Sequence, residues 1–321
     1  MTRIVLAGSV SFSERTLAGL VRHGANVVGV LGLAESASQN VSDYARLDVI
    51  AKDAGIAYLD FVKINDAAVV AQVREWQPDL MFVVGLSQLV HGELMSIPPM
   101  GSIGFHPTRL PKGRGRAPVA WLTYDGTNGA ATFFVLENEA DAGAIFVQEP
   151  FAVARDAYAG DVIQSVRDAI DRALDRWLPS LIAGESNPTP QDESAASWFG
   201  KRAAEDGLIE WSQSADSILR LVRTASKPYP GAYTYARDQK LIIWRARVAD
   251  VPFRGVTGRI LHVAGGAPLV QTGDGLLWLD EYELADGSAP RLPVGLKLGY
   301  SAEDEIERLK ARIRALEPPS S

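Results

Sequence analysis

Residues 3–33 read RIVLAGSVSFSERTLAGLVRHGANVVGVLGL, and the order of elements within this stretch decides the fold class. Residues 3–8 are a short apolar run that ends in glycine, which is typical of a buried parallel strand. Residues 11–23 carry apolar side chains at helical spacing, and residues 25–33 are a second apolar run. A strand, a helix and a further strand in this order predict the beginning of a parallel sheet.

The same alternation continues to residue 84. Helices are predicted over residues 43–54 and 66–76, and strands over residues 56–61 and 79–84. Helices that connect consecutive parallel strands cover both faces of the sheet. We therefore predict an α/β fold with a Rossmann-like sheet, in which ligands bind beyond the carboxyl ends of the strands.

The pattern changes after residue 100. Residues 101–118 hold four glycines and three prolines, and we interpret them as a functional loop. Paired strands over residues 129–136 and 144–153 follow, and then a helix over residues 161–181 that Pro179 is expected to end.

A polar, proline-containing segment then divides the chain into domains. We predict an α/β domain over residues 1–183 and a linker over residues 184–200. Short strands with glycine turns predict a small β-barrel-like (OB-like) domain over residues 201–300. A charged amphipathic helical tail is predicted over residues 301–321.

Composition limits the class of function. The 321 residues carry a net charge of −7, which disfavours binding to nucleic acid. The chain has no cysteine, and its four histidines lie in no metal-binding spacing, so we expect no disulfide and no metal site. No run of 18 apolar residues and no signal-like segment is present, so we expect a cytoplasmic protein that does not span a membrane.

Two motifs carry a resemblance to a known family. Residues 101–121 read GSIGFHPTRLPKGRGRAPVAW, and residues 140–145 read ADAGAI. Together they resemble the core signature of the folate-dependent formyltransferases, which is Asn-x-His, Ser-Leu-Leu-Pro, Arg-Gly, Ala-Pro and a later Asp-x-Gly. Residues 197–235 resemble the segment after the catalytic domain in formyltransferases that act on nucleotide-linked amino sugars. Methionyl-tRNA formyltransferases share part of that segment.

The resemblance implies a general base and its partner. An amine nucleophile must lose a proton near neutral pH, and histidine is the side chain best matched to that range. A nearby carboxylate can orient the imidazole. The resemblance implies that His106 is the base and Asp141 its partner. Without the motif, His106 would be a histidine that caps a turn, and Asp141 a turn residue.

One position departs from the family. The family's catalytic asparagine stands two residues before the histidine, where this chain has Gly104. Glycine offers no side-chain donor to the carbonyl oxygen of the acyl group. It also leaves space that would admit a methyl group, so an acetyltransferase that uses acetyl-CoA is an alternative.

The resemblance also implies the ligand sites. The donor would be 10-formyltetrahydrofolate, held by Gly85, Leu86 and Ser87 and by the loop of Asp141. The alternative for residues 85–87 is an ordinary strand-to-helix turn.

A basic cluster and one aromatic residue are the candidates for contacting the other substrate. Lys112, Arg114 and Arg116 suit phosphate or carboxylate oxygens, although a solvated charged loop would look the same. Tyr229 is held between prolines, so it is a further substrate-binding candidate.

The function that we expect is formyl transfer to the amine of a nucleotide-activated amino sugar, for surface glycan synthesis. The alternatives are an amino-sugar N-acetyltransferase, a methionyl-tRNA formyltransferase, and a binding protein that has lost activity together with the asparagine. The sequence leaves the sugar, the nucleotide and the oligomeric state open, with a homodimer as one alternative.

The net charge yields a first prediction. From Ser197 onward the basic residues are scattered among acidic ones and form no stripe. Binding to initiator tRNA at physiological salt should therefore be weak and independent of tRNA sequence, as measured by filter binding or fluorescence anisotropy. A tight, specific complex would favour the methionyl-tRNA alternative.

Overall fold

The computed structural model describes residues 1–300 and 302–316, in two compact units. The first unit contains Met1–Ala203 and Lys227–Tyr229, and the second contains Ala204–Ser226 and the described residues from Pro230 onward. Residue 301 and residues 317–321 of the predicted tail lie outside the described residues.

The first unit is an α/β structure that begins with the predicted strands and helices. Its elements up to the predicted loop are β1 (Arg3–Gly8), α1 (Ser11–Arg22), β2 (Asn26–Leu33), α2 (Leu47–Asp53), β3 (Tyr58–Phe61), α3 (Ala67–Trp76), β4 (Leu80–Val84) and α4 (Gly92–Ser96). They are followed by β5 (Ser102–His106), β6 (Arg114–Gly115), α5 (Pro118–Asp125), β7 (Gly129–Val135), β8 (Ile145–Phe151), α6 (Ala159–Ile182) and β9 (Trp198–Phe199).

Seven of these strands form one sheet in the order β3-β2-β1-β4-β5-β7-β8. The first five are parallel, whereas β7 is antiparallel to both β5 and β8. The predicted Rossmann-like parallel sheet is therefore confirmed, with a β-hairpin added at one side. β6 and β9 form a separate parallel pair.

Each face of the sheet is covered by its own hydrophobic core. In β1, Ile4 and Leu6 belong to one core, and Val5 and Ala7 belong to the other. Helices α1 and α6 supply side chains to the first core, and α3 supplies side chains to the second. Burial on both faces explains why the strands are nearly continuous apolar runs. It also leaves the carboxyl ends of the strands as the place for a site.

The predicted loop at residues 101–118 is partly wrong, because its ends are regular structure. Ser102–His106 is the strand β5, which pairs with β4 on one side and with β7 on the other. Pro118 begins helix α5, where its missing N–H is not needed. The irregular part is shorter than predicted and starts directly after His106.

The predicted start of one helix and the expectation that Pro179 ends another are also wrong. Helix α2 begins at Leu47 and not at Asp43, because Asp43 has a left-handed backbone (φ +63°) and its carbonyl accepts a hydrogen bond from the Ser11 N–H. Helix α6 continues past Pro179 to Ile182. Pro179 lies in the last turn, so its missing N–H removes one hydrogen bond near an end that buried Leu181 holds in the core.

The second unit contains helices at its two ends and five strands between them. These elements are α7 (Ala215–Ala225), β10 (Ala232–Ala236), β11 (Gln239–Ala249), β12 (Ile260–Ala264), β13 (Ala267–Gln271), β14 (Leu276–Leu284) and α8 (Ala302–Leu316).

The five strands form an antiparallel sheet in the order β10-β11-β14-β13-β12. Both of its edges are paired with the segment that follows β14. The Gly299 N–H donates to the Tyr235 carbonyl in the edge strand β10, and the Leu298 N–H donates to the Gly258 carbonyl just before the other edge strand, β12. The segment thereby links the two edges in the manner of a small barrel. Among the described residues, no helix is long and apolar enough to cross a membrane.

Candidate active site

His106 is the last residue of β5, at the carboxyl edge of the parallel strands. Its side chain is only 7% exposed. Strands β4 and β5 are neighbours, so the loop after β4 and the loop after β5 leave the sheet side by side. The structure thus places His106 where this type of sheet binds ligands.

The loop after His106 is fastened across the sheet by three side chains. His106, Thr132 and Gln148 are register partners on the neighbouring strands β5, β7 and β8, so they lie on one face. Each bonds to a different carbonyl of the loop: Gly113 O at 2.8 Å, Thr108 O at 2.7 Å and Leu110 O at 3.1 Å, respectively. No motif in the sequence singles out Thr132 or Gln148, because their importance follows from the strand register.

These contacts define the tautomer of His106. A carbonyl oxygen only accepts hydrogen bonds, so Nε2 must carry the proton that is donated to Gly113. The other ring nitrogen, Nδ1, lies 3.6 Å from Oδ2 of Asp141. In a neutral ring, Nδ1 and the carboxylate are two acceptors that face each other. Nδ1 can therefore accept a proton from a substrate, and the Asp141 carboxylate would stabilise the positive charge of the protonated ring.

The position of the Asp141 carboxylate beside His106 is set by the Asp141 backbone conformation and by the Gly115 N–H. It has a left-handed backbone (φ +57°), which is uncommon for a residue other than glycine. Its Oδ2 accepts a hydrogen bond of 2.8 Å from the Gly115 N–H. The structure therefore brings together the two residues that the motif spacing singled out, 35 positions apart in the chain.

The space that we expected beside Gly104 is not there. Gly104 pairs with Phe134 of β7, and a Cβ atom on Gly104 would lie 2.7 Å from Cζ of the Phe134 ring. Phe134 is 1% exposed, so it fills this position as part of the packed interior. Gly104 therefore leaves no space for an acetyl methyl group, and that prediction is wrong.

The predicted basic cluster divides into two kinds of residue. Arg114 is fully buried, and its guanidinium bonds to Glu193 at 2.6 and 2.9 Å and to Gln191 at 2.8 Å. The hydrogen bonds between Arg114 and Glu193 raise the pKa of Arg114 and lower that of Glu193. The Arg114 guanidinium, which we expected to contact substrate, is thus already bound by Glu193 and Gln191. Lys112 and Arg116 are exposed, as a substrate contact requires.

The predicted folate-binding residues form a turn at the carboxyl end of β4. Gly85 has φ +58°, and a Cβ atom there would lie 2.3 Å from Cγ2 of Val10. Its carbonyl accepts a hydrogen bond of 2.8 Å from Ser9 Oγ, which ties the turn to the end of β1. Leu86 is half-buried and Ser87 is exposed. Within the described residues, the amides of Leu86 and Ser87 donate to no other backbone group.

Tyr229 belongs to the first unit and packs against the core that α1 and α6 share. Burial raises the pKa of its phenol, and the negative charge of Asp43 raises it further. The hydroxyl is therefore a neutral hydrogen-bond donor at physiological pH. No group of three or more His, Asp or Glu side chains among the described residues is arranged to hold a metal ion.

Comparison with protein-family models matches residues 2–178 to the formyl transferase model and residues 201–292 to the model of the formyl transferase C-terminal domain. The chain belongs to the formyl transferase family. Its α/β sheet and separate antiparallel sheet are the fold of that family.

Solved structures of formyl transferases and of a larger protein share this fold. Aquifex aeolicus HypX in complex with tetrahydrofolic acid is 19% identical (TM-score 0.65), with 88% of this chain and 44% of HypX covered. This chain thus spans less than half the length of HypX. The Helicobacter canadensis N-formyltransferase in complex with folinic acid and dTDP-3-aminofucose is 14% identical (TM-score 0.61), with 87% of this chain and 99% of that protein covered. Clostridium thermocellum methionyl-tRNA formyltransferase is 17% identical (TM-score 0.55), with 78% of this chain and 94% of that protein covered.

The Gly104–Phe134 contact can be tested by stability. Gly104→Ala forces a Cβ atom against the Phe134 ring, and this overpacking should lower the free energy of unfolding by about 1–3 kcal/mol. Urea denaturation measures the change. Gly200→Ala is the control, because no atom lies within 4 Å of the added Cβ; it should change stability by no more than about 0.5 kcal/mol. Equal stability of wild type and Gly104→Ala would contradict the observed packing.

The role of His106 can be tested by turnover in formyl transfer. His106→Ala should lower kcat at least about 100-fold, the usual effect of losing a general base, while the fold survives. Asp141→Asn keeps an oxygen for the Gly115 N–H but removes the charge beside Nδ1, so kcat should also fall. His23→Ala is the control, because His23 pairs with exposed Asp175 outside this site. Near wild-type kcat in His106→Ala would remove His106 from the mechanism.

Proposed function

We propose that this formyl transferase moves a formyl group from 10-formyltetrahydrofolate to the amine of a nucleotide-activated amino sugar. The observation that carries the proposal is the position of His106, with Nε2 donating to Gly113 and Nδ1 3.6 Å from the Asp141 carboxylate. This arrangement suits removal of a proton from an amine.

The chemistry of this chain lies in moving one proton. Nδ1 of His106 accepts the proton that the attacking amine loses as its bond to the formyl carbon forms, and Asp141 compensates the positive charge that the ring then carries. The ring would return this proton to the donor nitrogen as the bond between that nitrogen and the formyl carbon breaks, so that tetrahydrofolate leaves as a neutral amine. The carbonyl of Gly113 fixes the ring so that Nδ1 remains the accepting nitrogen. Gly104 supplies no side-chain donor and Phe134 occupies the adjoining space, so a group other than residue 104 must stabilise the carbonyl oxygen.

Residues 85–87 fit the folate that the family implies. A pterin ring carries amide-like donors and acceptors along one edge, which pair with backbone N–H and C=O groups. The amides of Leu86 and Ser87 are not engaged by other backbone groups of the described residues, and this turn lies next to the strand of His106. When bound, 10-formyltetrahydrofolate supplies an activated formyl group at this edge of the sheet.

An amino-sugar nucleotide is the acceptor that the remaining features support best. The Helicobacter canadensis neighbour, which binds dTDP-3-aminofucose, is matched over 99% of its length. Exposed Lys112 and Arg116 flank the buried Arg114 in the loop after His106, where they suit the diphosphate oxygens of such a substrate. We assign Arg114 to positioning the loop and keep Tyr229 as a candidate contact. The protein would then serve glycan synthesis.

The proposal is tested by product mass. Wild type is incubated with 10-formyltetrahydrofolate or acetyl-CoA and with a panel of amino sugars linked to dTDP or UDP. We expect a formyl gain on at least one nucleotide-linked amine, and none with His106→Ala or with acetyl-CoA. An acetyl gain alone, or formylation of methionyl-tRNA alone, would contradict the proposal.

A further inference from the structure

Residues 191–199, which we call the strap, lie within the segment that sequence analysis interpreted as a linker. In the structure they belong to the first unit. The strap runs along the loop after His106 and bonds to its backbone: Ser197 O accepts from Arg114 N at 2.9 Å, Phe199 O accepts from Arg116 N at 3.1 Å, and Ser197 Oγ accepts from Gly113 N at 3.0 Å. Two residues of this loop, Gly113 and Gly115, contact the catalytic pair.

One strap residue also reaches the other half of the site. Nε2 of Gln191 donates to the Asp141 carbonyl at 2.8 Å and to the Gly143 carbonyl at 2.7 Å. Oε1 of the same amide accepts from Nη2 of Arg114 at 2.8 Å. Both N–H groups and the oxygen of one side chain are therefore used to join the Asp141 loop to the loop after His106.

The link holds Asp141 in an uncommon backbone conformation. A left-handed backbone at a residue other than glycine persists only where its surroundings hold it. Gln191 binds the Asp141 carbonyl on one side, and the Gly115 N–H binds its carboxylate on the other. If the first contact is removed, the Gly115 N–H still binds the carboxylate, but the Asp141 backbone that sets its position opposite Nδ1 of His106 is held on one side only.

The anchor of the strap is an ion pair that does not depend on the Gln191 amide N–H groups. Arg114 is fully buried and forms a two-pronged pair with Glu193. A buried guanidinium without a partner is strongly destabilising, so this pair keeps the strap on the first unit. A change limited to the Gln191 N–H groups should therefore leave the strap attached.

We propose that Gln191 is a positioning residue of the transfer reaction, which sets the place of the Asp141 carboxylate beside His106 by holding the Asp141 and Gly143 carbonyls. The inference rests on the proposed function for its kinetic consequence. Its structural consequence, a change at the His106 ring, does not depend on which substrate is used.

Two substitutions separate this role from general stability. Gln191→Glu keeps an oxygen for Arg114 but turns a second oxygen toward the two carbonyls, and Gln191→Leu removes both functions. Gln164→Leu is the control, because the Gln164 side chain is exposed on α6 and donates to Asp168 on the same helix. Misplacing a catalytic group by about 1 Å can cost on the order of 100-fold, so Gln191→Glu should lower kcat about 10- to 100-fold with little change in KM. Its melting temperature should stay near that of wild type.

A double-mutant cycle tests whether Gln191 acts through Asp141. The double variant Gln191→Glu/Asp141→Asn should be no slower than Asp141→Asn alone, because residues that act as one unit are not additive. Losses in kcat that multiply in the double variant would overturn the inference, since they would show that Gln191 acts independently of Asp141.

A spectroscopic measurement decides the inference even if formyl transfer is not observed. The chain has four histidines, so the ring ¹H–¹⁵N signals of His106 can be assigned by their loss in His106→Gln. Gln191→Glu should move these signals in the same direction as Asp141→Asn, and Gln164→Leu should leave them in place. Unmoved His106 signals in folded Gln191→Glu would overturn the inference. An inactive wild type with moved signals would count against the proposed function alone.

Discussion

The imidazole of His106 lies between two oxygen acceptors, the carbonyl of Gly113 and the carboxylate of Asp141, and the organisation of the first unit follows from holding both in place. The sheet provides His106 at the end of a buried strand. The oxygens come from two segments outside the seven-stranded sheet. Side chains hold each of them: Thr132 and Gln148 hold the loop after His106, which also pairs with β9, and Gln191 holds the loop of Asp141.

The ion pair of Arg114 with Glu193 makes the attachment of the strap depend on pH. Its guanidinium is fully buried, so it requires a partner, and Glu193 supplies one from the surface. Because Arg114 bonds to it, Glu193 has a lowered pKa in the folded chain. A carboxyl group whose pKa falls on folding adds stability at pH values above its unfolded pKa. That contribution is lost as the pH falls through the lowered value, so acid weakens this attachment of the strap.

The sequence predicted the features that depend on neighbouring residues, such as strand bounds, and missed those that depend on residues far apart in the chain. The strand β1 has the predicted bounds, because a short apolar run that ends in glycine has few other conformations in a parallel sheet. The pairing of His106 with Asp141 was found through a motif. The partners of Arg114 were not, because Gln191 and Glu193 are 77 and 79 residues away and a polar segment with prolines looks like a linker. Burial of a charge follows from such distant pairings and not from composition.

Gly104 and Phe134 show why the departure of this chain from the family pattern cannot be understood from residue 104 alone. Considered alone, glycine in place of asparagine suggests an open space. The strand register places Phe134 opposite, and its ring occupies that volume. The buried Phe134 ring thus occupies the volume that a side chain at residue 104 would need. A larger residue at position 104 therefore requires a smaller one at position 134, because the two positions share one packed volume.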